Sequence, residues 1–444
     1  MSYRKTILDN GLRIVTYEMK NRDSAALGFL VSTGGRYEED PLKGAAHFLE
    51  HILFKGSQKY SCEAIKENIE GVGGTLNAFT AEEVTCYYAK IPAKHLRMTF
   101  DVLADMVFYP LITPADVQKE SGVIIEEIKM YHDLPQYRVI ELLDGLMWPD
   151  HPLGKNLTGT EETVGRMTQE SLRKFHGEYY SPHNIVIAAC GQLQHERLVN
   201  FVKKFLNKIP KKQSRDFLPA DNSQSQPRVN FLNKDIEQMH LALGTLGLSE
   251  GHKDRYILTL LNIVMGGNMS SRLFNEIREK RGLAYSIGSG FKAYKDTGIF
   301  MVRAGVDNQK IVKALEVILQ ELKKIKQEGV NRSEFTRAKD YALGQLLLSM
   351  EETMDHMLWM GEEMVSHGRV RMLKEVIREV NKVKIKDIQR LANDIFNERR
   401  FNLALVGPIT EAQQKDLRAF RDFQLSSLSY VNPYIFRWQL YHKG

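Results

Sequence analysis

The stretch AAHFLEHILFKG, Ala45–Gly56, holds the residues best placed to do chemistry: two of the chain's 13 histidines, with a glutamate against the second. Placing imidazoles and a carboxylate in so apolar a run costs free energy unless they are paired or coordinate something. On a helix His47 and His51 stand at i and i+4, one turn apart on one face, as two ligands of a single ion must. Glu50, three residues after His47, flanks that face, giving an H-x-x-E-H spacing that sets a carboxylate beside two ligand imidazoles. Two imidazoles leave a catalytic zinc site incomplete, because it needs three protein ligands and an open position. The third ligand is sought in QKESGVIIEEIKMYHD, a helical run with carboxylates at Glu120, Glu126 and Glu127. Glu120 and Glu127 are two turns apart and share a face, whereas Glu126 is rotated by about 100°. Glu127 is therefore assigned as the ligand and Glu120 as the carboxylate that orients a ligand imidazole. The plainer reading, that His47 and His51 are surface or hydrogen-bonded core histidines, suits the pentapeptide alone; the glutamate pair tips the balance toward a site.

The elements that must position these residues come in two similar sets. In the first half a strand in SAALGFLVSTGG leads to the HFLEH helix, then to the strand pair GVGGTLNAFTAEEVTCYYAKI and a helix around HLRMTFDVLADMV. In the second, MHLALGTLGL, RYILTLLNIVMGG, RGLAYSIGSGFKAYKDTGIFMVRAGV and IVKALEVILQELKKI repeat that order. Hairpin-linked strands alternate with amphipathic helices, and the paired strands are too close together for crossover connections. The fold class is α+β: two homologous domains, each an antiparallel-rich sheet flanked by helices. The polar, proline-containing IPKKQSRDFLPADNSQSQPRVN divides them, giving a domain over 1–212, a linker over 213–229 and a second domain over 230–444. The second copy has leucine and Asn262-Ile263-Val264 where the first has histidine and glutamate, so only the first half can hold the metal.

Composition narrows the classes further. The chain has 444 residues, 43% hydrophobic and 26% charged, values of an ordinary globular protein. Its net charge of +6 comes from interspersed Lys and Arg, which argues against nucleic-acid binding. The N-terminus lacks a signal-peptide core and no stretch offers ~18 uninterrupted apolar residues, so the expectation is a cytoplasmic protein with no membrane role. Cys62, Cys86 and Cys190 form no framework, which fits reduced thiols.

Several ordered stretches resemble the inverzincin peptidases, the family of pitrilysin, insulin-degrading enzyme and the mitochondrial processing peptidase. They are GGRYEED with GAAHFLEHILFKGS, GGTLNAFTAEEVTCYYAKI, ESGVIIEEI, DHPLGKNLTGTEETV, YYSPHNIVIAACG and SSRLFNEIREKRGLAYSIGSG. The interval 127 − 51 = 76 is similar to the family's own. The resemblance implies a zinc-dependent endopeptidase with one zinc ion per chain on His47, His51 and Glu127 and with Glu50 as general base. It implies a substrate edge at Asn77, Ala78 and Phe79, where an extended peptide adds as a strand. It also places on Arg278 and Tyr285 a pair that contacts substrate and stabilises the oxyanion. A chain of this length resembles one unit of a clam-like dimer, so a homodimer closing around unfolded peptides is expected, with a heterodimer with an inactive paralogue as the alternative. The rival from another class is a non-catalytic assembly subunit; such relatives lose parts of the zinc motif, which is complete here.

Other signals read as structure. MGGNMSSRL lacks the Gly-Lys-Ser/Thr ending of a phosphate loop. The stripe Met350, Met354, Met357, Met360 and Met364 reads as core or inter-subunit packing, His132 and His151 as structural, and Cys86 as a buried small residue.

Overall fold

The computed structural model describes residues 3–206 and 209–417. Eleven strands form two sheets: β1 (Arg4–Ile7), β2 (Arg13–Glu18), β3 (Ser24–Val31), β4 (Thr75–Thr80), β5 (Thr85–Pro92) and β6 (Ile185–Gly191) in the first, and β7 (Arg228–Asn233), β8 (Gln238–Leu246), β9 (Ala284–Ala293), β10 (Gly298–Asp307) and β11 (Asn402–Gly407) in the second. The orders are β1-β2-β6-β3-β5-β4 and β7-β11-β8-β10-β9. With β1 set aside the two orders are the same, each with one parallel pair, β2/β6 and β7/β11, and otherwise antiparallel. The repeat seen in the sequence is thus a repeat of topology, and the α+β class holds.

Strand sequence follows burial. β6, IVIAACG, is buried at every residue, and β3, SAALGFLV, at all but its first. Such continuous apolar strands are covered on both faces. β4, TLNAFT, pairs only with β5 and is half exposed, as an edge strand should be.

What covers the second face of each sheet was not legible from the sequence. Each half sends one helix across to the other. The helix Pro135–Met147, from the first half, lays Val139, Leu143 and Met147 on Ala242, Ala404 and Val406 of the second sheet. The helix Thr353–His367, from the second half, lays Met357, Met360 and Met364 on Ala26, Leu30, Val186 and Ala188 of the first. The methionine stripe therefore packs between halves of one chain. Both crossings depend on a strand glycine: a Cβ on Gly28 would lie 2.6 Å from Met357 Sδ, and one on Gly244 would lie 2.9 Å from Leu143 Cδ1. Between Ile209 and Pro227 the chain has no strand or helix. Among the described residues no helix is long and apolar enough to cross a membrane.

Candidate metal centre

The helix carrying the histidines, Ala45–Ile52, is short and buried, and its start is held from outside. Gly44 enters it at φ 97°, a left-handed conformation that favours glycine, and a Cβ there would lie 2.6 Å from the Thr158 carbonyl oxygen. Glu38, 3% exposed, accepts from the amides of Gly44 (3.0 Å) and Ala46 (2.7 Å) and pairs with Lys43 at 3.1 Å. A carboxylate on the first-turn amides satisfies orphan donors and opposes the positive end of the helix dipole. Ala45, Ala46, Phe48, Leu49 and Ile52 then sink into the core, which fixes the direction of the histidine face.

The facing helix, Pro114–Asp133, begins with Thr113, whose hydroxyl accepts from the Asp116 amide at 3.1 Å, and with Pro114 in its first turn. It buries Val117, Ile124 and Ile128 and brings Glu120 and Glu127 to the histidines. Ligand atoms of His47, His51 and Glu127 all lie within 4.8 Å of one another, the one such group of three among the described residues. Glu127 Oε2 is 3.8 Å from His47 Nε2 and 3.4 Å from His51 Nε2. Ligands on a tetrahedral zinc at 2.0–2.1 Å stand about 3.3 Å apart, so the donor set fits such an ion with little adjustment. Glu120 Oε1 lies 3.0 Å from His51 Nδ1, which leaves Nε2 facing Glu127. Lys55 holds the other Glu120 oxygen at 2.6 Å.

The electrostatics also fit a cation. Burial, with His51 beside it, pushes His47 down to about 4 and keeps its imidazole neutral, as a ligand must be. At His51 burial works the same way, but Glu120 and Glu127 outweigh it and push the group up to about 9. Positive charge is thus favoured beside His51, where a dication would sit. The hydrogen bond with His51 holds Glu127 below the usual carboxylate range. Burial opposes the charge on Glu120, yet His51 and Lys55 bring it below that range too.

Glu50 shares a cavity of about 490 Å³ with His47 and Glu127, walled by Ala78, Phe79 and Thr80 of β4. Its Oε2 accepts from the Thr80 hydroxyl at 2.6 Å. Burial pushes its carboxyl above the usual range, and the Thr80 bond pulls in the opposite direction. Of the three residues expected on the substrate edge, Ala78 and Phe79 wall the cavity; Asn77 lies on the same strand, its Oδ1 accepting from the Ala78 amide at 2.8 Å. Arg278 and Tyr285 stand together, the guanidinium carbon 5.6 Å from the phenol ring centre, but they are not among the residues walling this cavity. Tyr285 is 75% exposed, on the second sheet's edge strand β9. His151 is fixed by its own loop and by the segment between the halves: Nδ1 accepts from the Leu153 amide at 3.1 Å and Nε2 meets the Leu218 carbonyl oxygen at 3.0 Å.

Sequence reasoning missed Glu38, Lys43, Lys55, Thr80 and Tyr131, which lines the cavity with Glu127. Two signals were available. Lys55 is one turn beyond His51, and Thr80 follows Phe79 in the strand already singled out. For Glu38 there was none, since nothing in EED says which carboxylate turns inward.

The sequence profile of Insulinase (Peptidase family M16) matches residues 13–161, and that of the Peptidase M16 inactive domain matches residues 166–341. The chain is 37% identical over 399 residues to the uncharacterized zinc protease YmxG of Bacillus subtilis (strain 168), covering 90% of this chain and 97% of that one. It is 35% identical over 420 residues to an uncharacterized zinc protease of Streptomyces coelicolor, covering 93% and 91%. In fold it resembles a protease from Helicobacter pylori, with a TM-score of 0.87 at 22% identity over 92% of this chain and 99% of that one. A Pseudomonas fluorescens structure described as a peptidase M16 inactive domain gives 0.86 at 18% identity over the same shares. The chain belongs to peptidase family M16, the insulinase family.

Proposed function

We propose that this protein is a zinc-dependent endopeptidase acting on short or unfolded peptides, with one zinc ion per chain held by His47, His51 and Glu127. The observation that carries this reading is the convergence of those three ligand atoms, with His47 and Glu127 lining one cavity beside Glu50 and an edge strand. The names of the zinc protease relatives support it. Bound there, zinc supplies Lewis acidity, polarising a carbonyl and bringing the pKa of water toward neutrality.

The chain's own groups do the rest. Glu120 fixes the His51 ring through Nδ1, so that Nε2 faces the ion. Glu50 is the general base: its carboxylate takes a proton from water and returns it to the leaving amine. The free edge of β4 binds the peptide as an added strand through main-chain hydrogen bonds, which selects extended chains over particular side chains. Arg278 and Tyr285 act on the peptide bound in the other subunit of a closed homodimer, stabilising the charge that develops on the carbonyl oxygen. Their absence from the residues walling the cavity and the exposure of Tyr285 support a trans arrangement.

The test is cleavage of a quenched fluorescent unstructured peptide. Cleavage is expected, to be abolished by a chelator and restored by zinc. For the dimer, inert Glu50→Gln chains mixed with inert Arg278→Ala chains should recover activity, because one of the two sites then has a complete set. No cleavage by zinc-loaded protein contradicts the function, and no recovery on mixing contradicts the dimer.

A further inference from the structure

Among the described residues the second half holds no metal-ligand cluster, yet it grips the tip of the strand that holds the base. We propose that the β9–β10 hairpin of the second half, through Lys292, Tyr294 and Lys295, positions the end of β4 and so the Thr80 hydroxyl that fixes Glu50. The inference rests on the reading of Glu50 as general base.

β4 ends at Thr80, and the chain turns through Ala81–Val84 into β5, with the Ala81 amide donating to the Val84 carbonyl at 2.8 Å. From its own half this turn receives backbone bonds from the Gly35 and Arg36 amides, at 3.2 and 2.8 Å. From the second half three donors converge on two adjacent carboxylates. Lys292 Nζ and the Tyr294 hydroxyl reach Glu82 Oε1 at 3.2 and 3.1 Å, and the Lys295 amide reaches Glu83 Oε2 at 3.1 Å. Arg36, with its side chain wholly inaccessible, joins the two halves by pairing with both Glu83 and Asp296 at 2.6 Å, under the Phe217 ring. Lys292 is shared with Asp144 of the exchanged helix, also at 3.2 Å. Burial opposes the Glu82 charge, but Lys292 and Tyr294 hold its carboxyl below the usual range.

This grip lies two residues from Thr80 Oγ, which is 2.6 Å from Glu50. A tip free to rotate would carry that oxygen out of hydrogen-bond range, and a base must stay within such range of the proton it takes. The residues of the grip are therefore positioning residues. A clasp that merely joined the halves would give the same static contacts, so the test needs readouts which that role would leave alone.

The experiment uses full-length, zinc-loaded Tyr294→Phe, Lys292→Met and Lys292→Arg, below their melting temperatures. Four quantities are measured: kcat and KM on a quenched fluorescent peptide, bound zinc, and hydrogen exchange of the amides at 80–84. For Lys292→Met the expected result is kcat lower by roughly ten- to hundred-fold with KM and zinc unchanged, and faster exchange at the tip. Tyr294→Phe should move the same way by less, and Lys292→Arg should restore both. Tyr294 does not wall the cavity, so a shared direction separates positioning from direct contact with peptide. A rise in KM alone, or unchanged kcat, overturns the proposal. In a chain inert toward peptides the Glu50 reading itself fails, and unchanged exchange in Lys292→Met would still overturn the grip.

Discussion

The two halves are built in one order, β2-β6-β3-β5-β4 against β7-β11-β8-β10-β9, and each gives a helix to the other's sheet. Even the contact between helix and edge strand recurs: Glu50 accepts from Thr80 at 2.6 Å, and Asn262 Oδ1 accepts from Ser289 of β9 at 2.7 Å. What differs is the lining. Around the helix Arg255–Met265 the second half buries Leu258, Leu260, Leu261 and Ile263, and the helix Arg332–Ser349 packs Leu343 and Leu346 against that core. The first half puts His47, Glu50, His51, Glu120 and Glu127 in the comparable place, with Lys55 holding Glu120 and Thr80 holding Glu50. One scaffold thus carries either a packed core or a charged centre, and the charged centre requires its own shell of partners.

That contrast can be broken at several points. Writing the second half's Thr259 and Ile263 into the first, His47→Thr with His51→Ile, should abolish zinc binding and all peptide cleavage, read by metal analysis and assay. Retained stoichiometric zinc would show that the ligands lie elsewhere. The exchanged helices should weigh alike: Leu143→Ala and Met360→Ala, both fully buried, should each cost about 2–5 kcal/mol in chemical denaturation. A cost at one site only would mean that the exchange is structural in one direction alone.

Removing Glu120 tests the shell rather than the scaffold. Glu120→Ala should weaken zinc roughly 10–100-fold in competition with a chelator while leaving the fold intact. Thr80→Val should lower kcat at least as much as Lys292→Met does, and it should also move the pH profile. The Thr80 bond favours the charged Glu50, so removing it raises a carboxyl that burial already holds above the usual range. The base form is then lost at higher pH, and the acid limb of kcat/KM moves up; a limb that moves down contradicts the assignment.

Much of the first half's centre was legible because helical spacing is rigid. The intervals from His47 to His51 and from Glu120 to Glu127 fix faces without knowledge of the fold. The duplicated strand order was legible in outline for a similar reason, since hairpins join neighbours. The exchange was not, because an amphipathic stripe such as Met357, Met360 and Met364 says that a face is buried without saying under which sheet. Nor were Glu38 and the Glu82–Glu83 grip, where the partners lie far apart in sequence and carboxylates at loop positions are ordinarily solvated. Arg36 shows the limit most plainly: its two ion-pair partners are 47 and 260 residues away.

The most direct test of the central claim compares wild type with Glu50→Gln for bound zinc and peptide cleavage. The substitution leaves all three ligands and removes only the base. Stoichiometric zinc in both, with kcat lower by roughly 10²–10⁴-fold in the variant, is the predicted result. Wild-type rates in zinc-loaded Glu50→Gln would contradict it.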